Sequence, residues 1–262
     1  MNLHRLLLQR AAEGRPIRIA QIGAGKFGSM FLHQARRTPG MHVLAIADLS
    51  IPRARSALAR VHWPDGSYDA PDLDTAMRDG STHLTQDAMA LIADPRVEVV
   101  VECTGHPEAG LRHARAAIAH GKHVVMVNVE ADVLAGPLLA REAARAGVVY
   151  SMAYGDQPAL ICEMVDTLRA GGFTVIAAGK GTKYLPHFHA STPATVWGFY
   201  GLTEDQAQAG GMNPQMFNSF LDGTKSGIEM AAIANACALA PPEDGLGFPP
   251  CGTSQLPNLL RP

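Results

Sequence analysis

The stretch Ile17-Arg-Ile-Ala-Gln-Ile-Gly23-Ala-Gly25-Lys-Phe-Gly28 constrains the fold more than any other part of this chain. An apolar run rich in isoleucine meets three glycines at the G-x-G-x-x-G spacing, and a helical pattern begins at once. That order is the strand, tight turn and helix opening of a dinucleotide-binding unit. Gly23 permits the turn, Gly25 lets backbone N–H groups approach a pyrophosphate, and Gly28 lets the helix lie close on the strand. Ala24, Lys26 and Phe27 complete the cradle. A diphosphate at the helix N-terminus meets unpaired N–H groups and the positive end of the macrodipole. Because 26 of the 262 residues are glycine, the spacing gains weight only with a second strand and a correctly placed acid beyond it.

Both are present. After the helix comes Met41-His-Val-Leu-Ala-Ile-Ala47, a buried strand, and then Asp48. That carboxylate stands where a dinucleotide fold places the acid that binds the adenosine ribose hydroxyls. Asp48 disfavours a 2′-phosphate, whereas Arg53 and Arg55 lie close enough to grip one if the acid turns away. The expected cofactor is therefore NAD(P).

Further along, strands read at 97–101, 121–128 and 148–152 alternate with helices at 87–93, 108–120 and 137–146, while 62–81 reads as a loop with at most a turn of helix. Strands alternating with helices of about ten residues predict an α/β fold with a doubly wound parallel sheet of Rossmann type. Ligands lie at the carboxyl ends of such strands, and the loops at 23–28, 48, 103–107, 128–130 and 154–158 all fall there. This domain is expected to span 1–155. A smaller α+β domain for substrate binding and dimerisation, incomplete at its end, is expected over 156–262. In it we read a helix at 159–170, strands at 173–178 and 195–200, and a long helix from Asn218 to Leu239.

Hydrophobic residues make up 47% of the chain and charged ones 18%, which suits a packed core and argues against disorder. A net charge of −2 gives no general attraction to nucleic acid or anionic membranes. The four cysteines form no C-x-x-C pair, and no apolar run reaches the roughly 18 residues of a membrane helix. The expectation is a cytoplasmic homodimer acting on a small molecule, with no nucleic-acid or membrane partner.

Several residues could carry chemistry. Asp222, Lys225 and Glu229 share one face if 218–239 is a single helix. Lys180 and Lys183 lie just past a strand-like run beside glycines, where a lysine binds an anionic group or polarises a carbonyl oxygen. His187 and His189 alternate, so in an extended segment they share a side and could hold a metal or carry protons. Cys103, Thr104, Gly105 and Asn128 lie at strand ends near the expected nicotinamide ribose. Cys103 reads either as a nucleophile or as a small packing residue. Asp156 could orient a substrate hydroxyl or hold a metal, or simply cap a helix. Glu130 is an outside candidate.

Assembled, these segments resemble the homoserine dehydrogenase superfamily, and within it the branch of 1-deoxy-D-xylulose 5-phosphate reductoisomerase-like proteins. The resemblance rests on Ile-Gly-Ala-Gly-Lys-Phe-Gly28, Gly-Lys-His-Val-Val-Met-Val-Asn-Val-Glu-Ala-Asp132 and Ala-Tyr-Gly-Asp-Gln-Pro158. It rests further on Ala-Gly-Lys-Gly-Thr-Lys-Tyr-Leu-Pro186 and Phe-Leu-Asp-Gly-Thr-Lys-Ser226. Homoserine dehydrogenases carry a lysine after the asparagine of the fifth strand, where this chain has Val129, and an Asp and Lys on a later helix that Asp222 and Lys225 resemble. The resemblance implies an NAD(P)-dependent oxidoreductase of isoprenoid-precursor type. It implies a polyhydroxylated, phosphorylated carbonyl substrate, a divalent Mg or Mn, and a further C-terminal region. Lys180, Lys183, Asp222, Lys225 and Asp156 are the expected catalytic set. The alternatives are a homoserine or sugar-acid dehydrogenase, and a truncated nucleotide-binding protein without activity.

Overall fold

The apolar runs become the four inner strands of a six-stranded parallel sheet: β1 (Ile17–Ile22), β2 (Met41–Ala47), β4 (Val99–Glu102) and β5 (His123–Met126). The edges are β3 (His83–Thr85) and β6 (Tyr150–Met152), giving the order β3-β2-β1-β4-β5-β6. Inner strands covered on both faces read as unbroken apolar sequence. The short edge strand His-Leu-Thr does not, which is why its sequence predicts no strand. The computed structural model describes residues 2–260, and the chain divides after Ala153 into two units.

The helices of the first unit are α1 (Leu3–Ala12), α2 (Lys26–Ala35), α3 (Ile51–Arg60), α4 (Leu73–Asp79), α5 (Ala88–Ala93), α6 (Pro107–Ala119) and α7 (Val129–Ala146). Val43 and Leu44, neighbours in β2, point into different core clusters, so the clusters lie on opposite faces of the sheet. One gathers Leu32, Ile46 and Leu58 under α2 and α3. The other gathers Ile92, Ile118, Met126 and Leu139 under α5, α6 and α7. The loop expected at 62–81 contains α4, which Asp72 caps through the Thr75 N–H and Gly80 ends at φ +69°. Helix α7 begins eight residues before the expected start at Pro137. Asn128 caps it through the Ala131 N–H at 3.1 Å, and Pro137 lies within the helix.

In the second unit, α8 (Gln157–Ala170) and α12 (Thr224–Cys237) pack through Val165, Ile233 and Cys237. Between them lie α9 (Val196–Tyr200), α10 (Glu204–Ala209) and α11 (Pro214–Leu221), around a core of Phe188, Trp197 and Leu221. A short α13 (Leu256–Leu259) comes last. Both strands expected here are absent among the described residues. Residues 173–178 have no neighbouring strand to pair with; Val175 and Ala178 pack on the α8–α12 core while Phe173 stays 66% exposed. The aromatic run at 195–200 winds into α9, which Gly201 ends at φ +66°. The long helix expected at 218–239 is two. The chain turns at Gly223, φ +90°, and Asp222 ends α11.

Candidate active site

The glycine turn has the geometry its spacing predicts. A Cβ added to Gly23 would lie 2.9 Å from the Cys103 carbonyl oxygen, so the turn packs directly on the backbone leaving β4. A Cβ on Gly28 would meet the Gly23 carbonyl oxygen at 2.7 Å and Gln21 Nε2 at 2.6 Å. Gly25 differs from both. It is the N-cap of α2, no side chain caps that helix, and a Cβ there would meet nothing within 4 Å. Open space thus lies in front of an uncapped helix N-terminus, as a pyrophosphate requires. Ala24 lines the turn, with the exposed Lys26 and Phe27 beside it. These residues fit a dinucleotide.

Asp48 sits at the end of β2, as expected, but faces inward. Its Oδ2 accepts from the Ala24 N–H at 2.8 Å; its Oδ1 accepts from the Ser50 N–H at 2.9 Å and from Arg53 at 2.7 and 3.1 Å. The carboxylate is 1% exposed, whereas the Arg53 side chain is 59% exposed. Asp48 therefore braces the glycine turn and holds a guanidinium at the surface, with neither oxygen left outward for a ribose hydroxyl. Arg55 turns away to pair with Asp69.

At the end of β4, Thr104 and Gly105 are exposed, on a loop tied to a buried polar group that the motifs alone do not single out. Glu102, fully buried, accepts from Thr104 Oγ1 at 2.6 Å and lies 3.3 Å from His113 Nδ1. Asn128 donates to the His106 carbonyl at 3.0 Å and to Thr104 Oγ1 at 3.4 Å, bridging the β4 and β5 loops. The signal for Glu102 was present: an ionisable residue ending a run of valines. Burial and the Glu102 charge push the Cys103 thiol well above its usual range. A thiol held protonated is a poor nucleophile, which favours the packing reading of Cys103.

In the second unit, four polar groups meet where α8 starts. Lys180, from the irregular segment before residue 186, pairs with Glu229 of α12. Gln157, oriented with its amide nitrogen toward the carboxylates, donates to Glu229 Oε1 at 3.2 Å and Asp156 Oδ1 at 2.8 Å. Asp156 also caps α8 through the Gln157 N–H at 2.9 Å. In the sequence Glu229 stood out only as the third member of the Asp222, Lys225 and Glu229 spacing, and Gln157 only within the Ala-Tyr-Gly-Asp-Gln-Pro158 motif.

Asp222 is not on a common helix face with Lys225 and Glu229, because the chain breaks after it. Its oxygens accept from the Thr224 N–H and from Asn218 Nδ2, both at 2.9 Å, so it shapes the turn between α11 and α12. Lys225 stands in the first turn of α12, and Lys183 is exposed on the loop. His187 and His189 lie in a 3-10 turn (Pro186–Ala190), not an extended segment. At three residues per turn their side chains diverge, and His187 packs on Phe188 and Phe199. Glu130 is in the first turn of α7. Among the described residues no three His, Cys, Asp or Glu side chains gather as metal ligands.

Residues 23–151 match the family model described as homoserine dehydrogenase, NAD binding domain. Residues 155–262 match the model described as oxidoreductase DRL, catalytic domain. No curated protein matches the chain. Among solved structures, an NAD binding oxidoreductase from Klebsiella pneumoniae is 23% identical over 60% of this chain and 39% of that one, with a TM-score of 0.44. A homoserine dehydrogenase from Thiobacillus denitrificans is 22% identical over 59% of this chain and 34% of that one, TM-score 0.46. A myo-inositol dehydrogenase from Lactobacillus casei, in complex with NAD(H) and myo-inositol, is 17% identical over 58% and 42%, TM-score 0.43. The chain thus spans well under half the length of each of these proteins. Both of its units carry oxidoreductase domain sequences, the first of them NAD(P)-binding.

Proposed function

We propose that this chain is an NADP(H)-preferring oxidoreductase acting on the carbonyl of a small polyhydroxylated, phosphorylated compound, as in the reductoisomerase-like branch it resembles. One observation carries the reading: an intact dinucleotide cradle is succeeded directly by a segment matching an oxidoreductase catalytic domain. The bound cofactor supplies a hydride. The α2 N-terminus and the open space before Gly25 hold its pyrophosphate. Thr104, Gly105 and Asn128 form the ribose side of the nicotinamide site, their loop braced by Glu102.

The preference for NADP(H) rests on Asp48 and Arg53. A carboxylate that is 1% exposed and already accepts from Ala24, Ser50 and Arg53 offers little to a 2′-hydroxyl, whereas the exposed guanidinium it anchors suits a 2′-phosphate. Lys183 and Lys225 supply positive charge for an anionic substrate group. A homoserine dehydrogenase is the second reading, favoured by the match of residues 23–151.

The test is a titration of NADPH and NADH against intrinsic tryptophan fluorescence, then turnover assays on ketose phosphates, homoserine and sugar acids. Tighter binding of NADPH than NADH, with turnover of a ketose phosphate, is expected. Binding of neither cofactor refutes the reading, and turnover of homoserine alone selects the second.

A further inference from the structure

We propose that Cys162 and Cys237 form a thiol–disulfide site, which staples α8 to α12 within the second unit when a small disulfide oxidises it. The Cys237 thiol donates to Cys162 Sγ at 3.5 Å, although the two lie 75 positions apart in sequence. A disulfide holds its sulfurs about 2.05 Å apart, so the pair has to close by about 1.5 Å, within reach of side-chain rotation and a small helix shift. The two helices are already packed around that contact. Val165, Ile233 and Cys237 form the buried centre of their interface, with Ile161, Cys162 and Met230 against it. Arg169 of α8 donates through Nη1 to the Cys237 carbonyl at 2.7 Å, which holds the last residue of α12 to α8.

The two thiols differ in access. Cys237 is 5% exposed, whereas Cys162 is half-buried, so a reagent in solution meets Cys162 first. The step begins when the Cys162 thiolate attacks one sulfur of a low-molecular-weight disulfide such as oxidised glutathione. A bond forms to Cys162 Sγ, the S–S bond of the oxidant breaks, and one glutathione thiolate leaves. Cys237, already in contact, then attacks Cys162 Sγ. The mixed disulfide breaks, the Cys162–Cys237 bond forms, and the second glutathione thiolate leaves. Each cysteine sulfur has lost one electron, the oxidant has gained two, and the two cysteine protons end on the released thiols. The bond closes a long loop of the unfolded chain and so stabilises the folded second unit. It also ties together the two helices that meet through Gln157 and Glu229.

The experiment uses the full chain carrying C251S, which removes the exposed thiol that shares a tryptic peptide with Cys237. The protein is equilibrated with oxidised and reduced glutathione at a series of ratios, quenched with acid, digested with trypsin and read by mass spectrometry. Thermal midpoints are measured alongside. We expect a peptide that joins residues 146–169 to residues 226–262, lighter than the sum of its parts by one pair of hydrogens and separated by dithiothreitol. The midpoint of the oxidised protein should rise by at least about 8 °C, as a disulfide does in a unit of this size. C162S and C237S should each abolish the linked peptide and the rise. The reduced protein should bind phenylarsine oxide, a reagent for paired thiols, at least about 100-fold more tightly than either serine variant, because its second sulfur–arsenic bond closes within the molecule. Thiols that stay unlinked at the highest ratio, or glutathione left on either cysteine without a linked peptide, would overturn the proposal. So would a linkage that lowers the midpoint, or a rise that persists in C162S. The linked peptide is read on protein that keeps both cysteines, so it decides the matter even where a serine variant fails to fold.

Discussion

Replacing Gly23 and Gly25 in turn by alanine separates folding from cofactor binding within a single tight turn. At Gly23, φ is +94° and the new Cβ would stand 2.9 Å from the Cys103 carbonyl oxygen, 3.0 Å from its carbon and 3.2 Å from Thr104 Cα. All three neighbours are backbone, so none can swing aside. A non-glycine residue at such a φ costs about 1–3 kcal/mol, and forcing one methyl into a packed site costs about 1–3 kcal/mol more. A loss of about 2–6 kcal/mol corresponds to a fall in thermal midpoint of roughly 4–24 °C for a domain of this size. At Gly25, φ is −70° and nothing lies within 4 Å of the added Cβ. The fold should lose no more than about 1 kcal/mol, because alanine is a poorer N-cap than glycine while a stiffer unfolded chain offsets about 0.4–1 kcal/mol. The same methyl would project where the pyrophosphate approaches, and a loss of one or two hydrogen bonds to a charged group, at about 1.5–3 kcal/mol each, weakens NADPH binding by at least about tenfold. Calorimetry for stability and fluorescence titration for affinity read the two effects apart. Gly25→Ala with normal NADPH affinity, or with a midpoint loss equal to that of Gly23→Ala, would refute the placement of the cofactor over this turn.

The polar groups of the first unit carry further expected outcomes. Arg53→Ala should weaken NADPH binding about tenfold while leaving NADH affinity within about twofold, a contrast that competition between 2′-phospho-AMP and AMP would read directly. Glu102→Ala leaves the Thr104 hydroxyl without its acceptor and opens a buried void, so a loss of about 2–4 kcal/mol is expected by urea unfolding, with Glu102→Gln milder. Asp132, buried in α7, has its pKa raised by desolvation although Tyr150 donates to it at 2.7 Å. A raised carboxyl is favourable when protonated: its contribution is fully present below the unfolded value and is lost as pH rises through the folded one. Asp132→Asn should therefore raise stability near neutral pH and leave it nearly unchanged in acid. A midpoint that falls at pH 7 would contradict the sign.

What the sequence disclosed depended on where each residue's partners lie. The inner strands and the glycine turn are local patterns: burial on both faces leaves a continuous apolar run, and a tight turn needs glycine at fixed spacing. Strand β3 is three residues long at the sheet edge and carries no such pattern. The segment at 173–178 has strand-like composition, yet a strand exists only where another lies alongside, and composition does not report that. Asp222 and Lys225 looked like one helix face because their i, i+3 spacing within an expected single helix did not report the turn that the single residue Gly223 imposes. Glu229 was visible only as part of an expected helix face, and its partners Lys180 and Gln157 lie far away in the chain, so only the fold brings them together.

Asp48 and Glu229 show the same electrostatic logic in separate units. Each is a nearly inaccessible carboxylate whose cation comes from a flexible side chain, Arg53 in one case and Lys180 in the other, and each leaves that cation partly exposed. A long basic side chain in solution gives up about 2 kcal/mol of rotamer freedom when a ligand orders it. A buried carboxylate imposes that order beforehand, so the loss falls on folding rather than on binding. The arrangement has a signature that an ordinary surface ion pair lacks. Shortening the acid, as in Asp48→Ala, should weaken NADPH binding nearly as much as Arg53→Ala does, even though the removed carboxylate repels phosphate. If Asp48→Ala instead strengthened NADPH binding, the acid would be acting as a repelling charge, and the anchoring role assigned to it would be wrong.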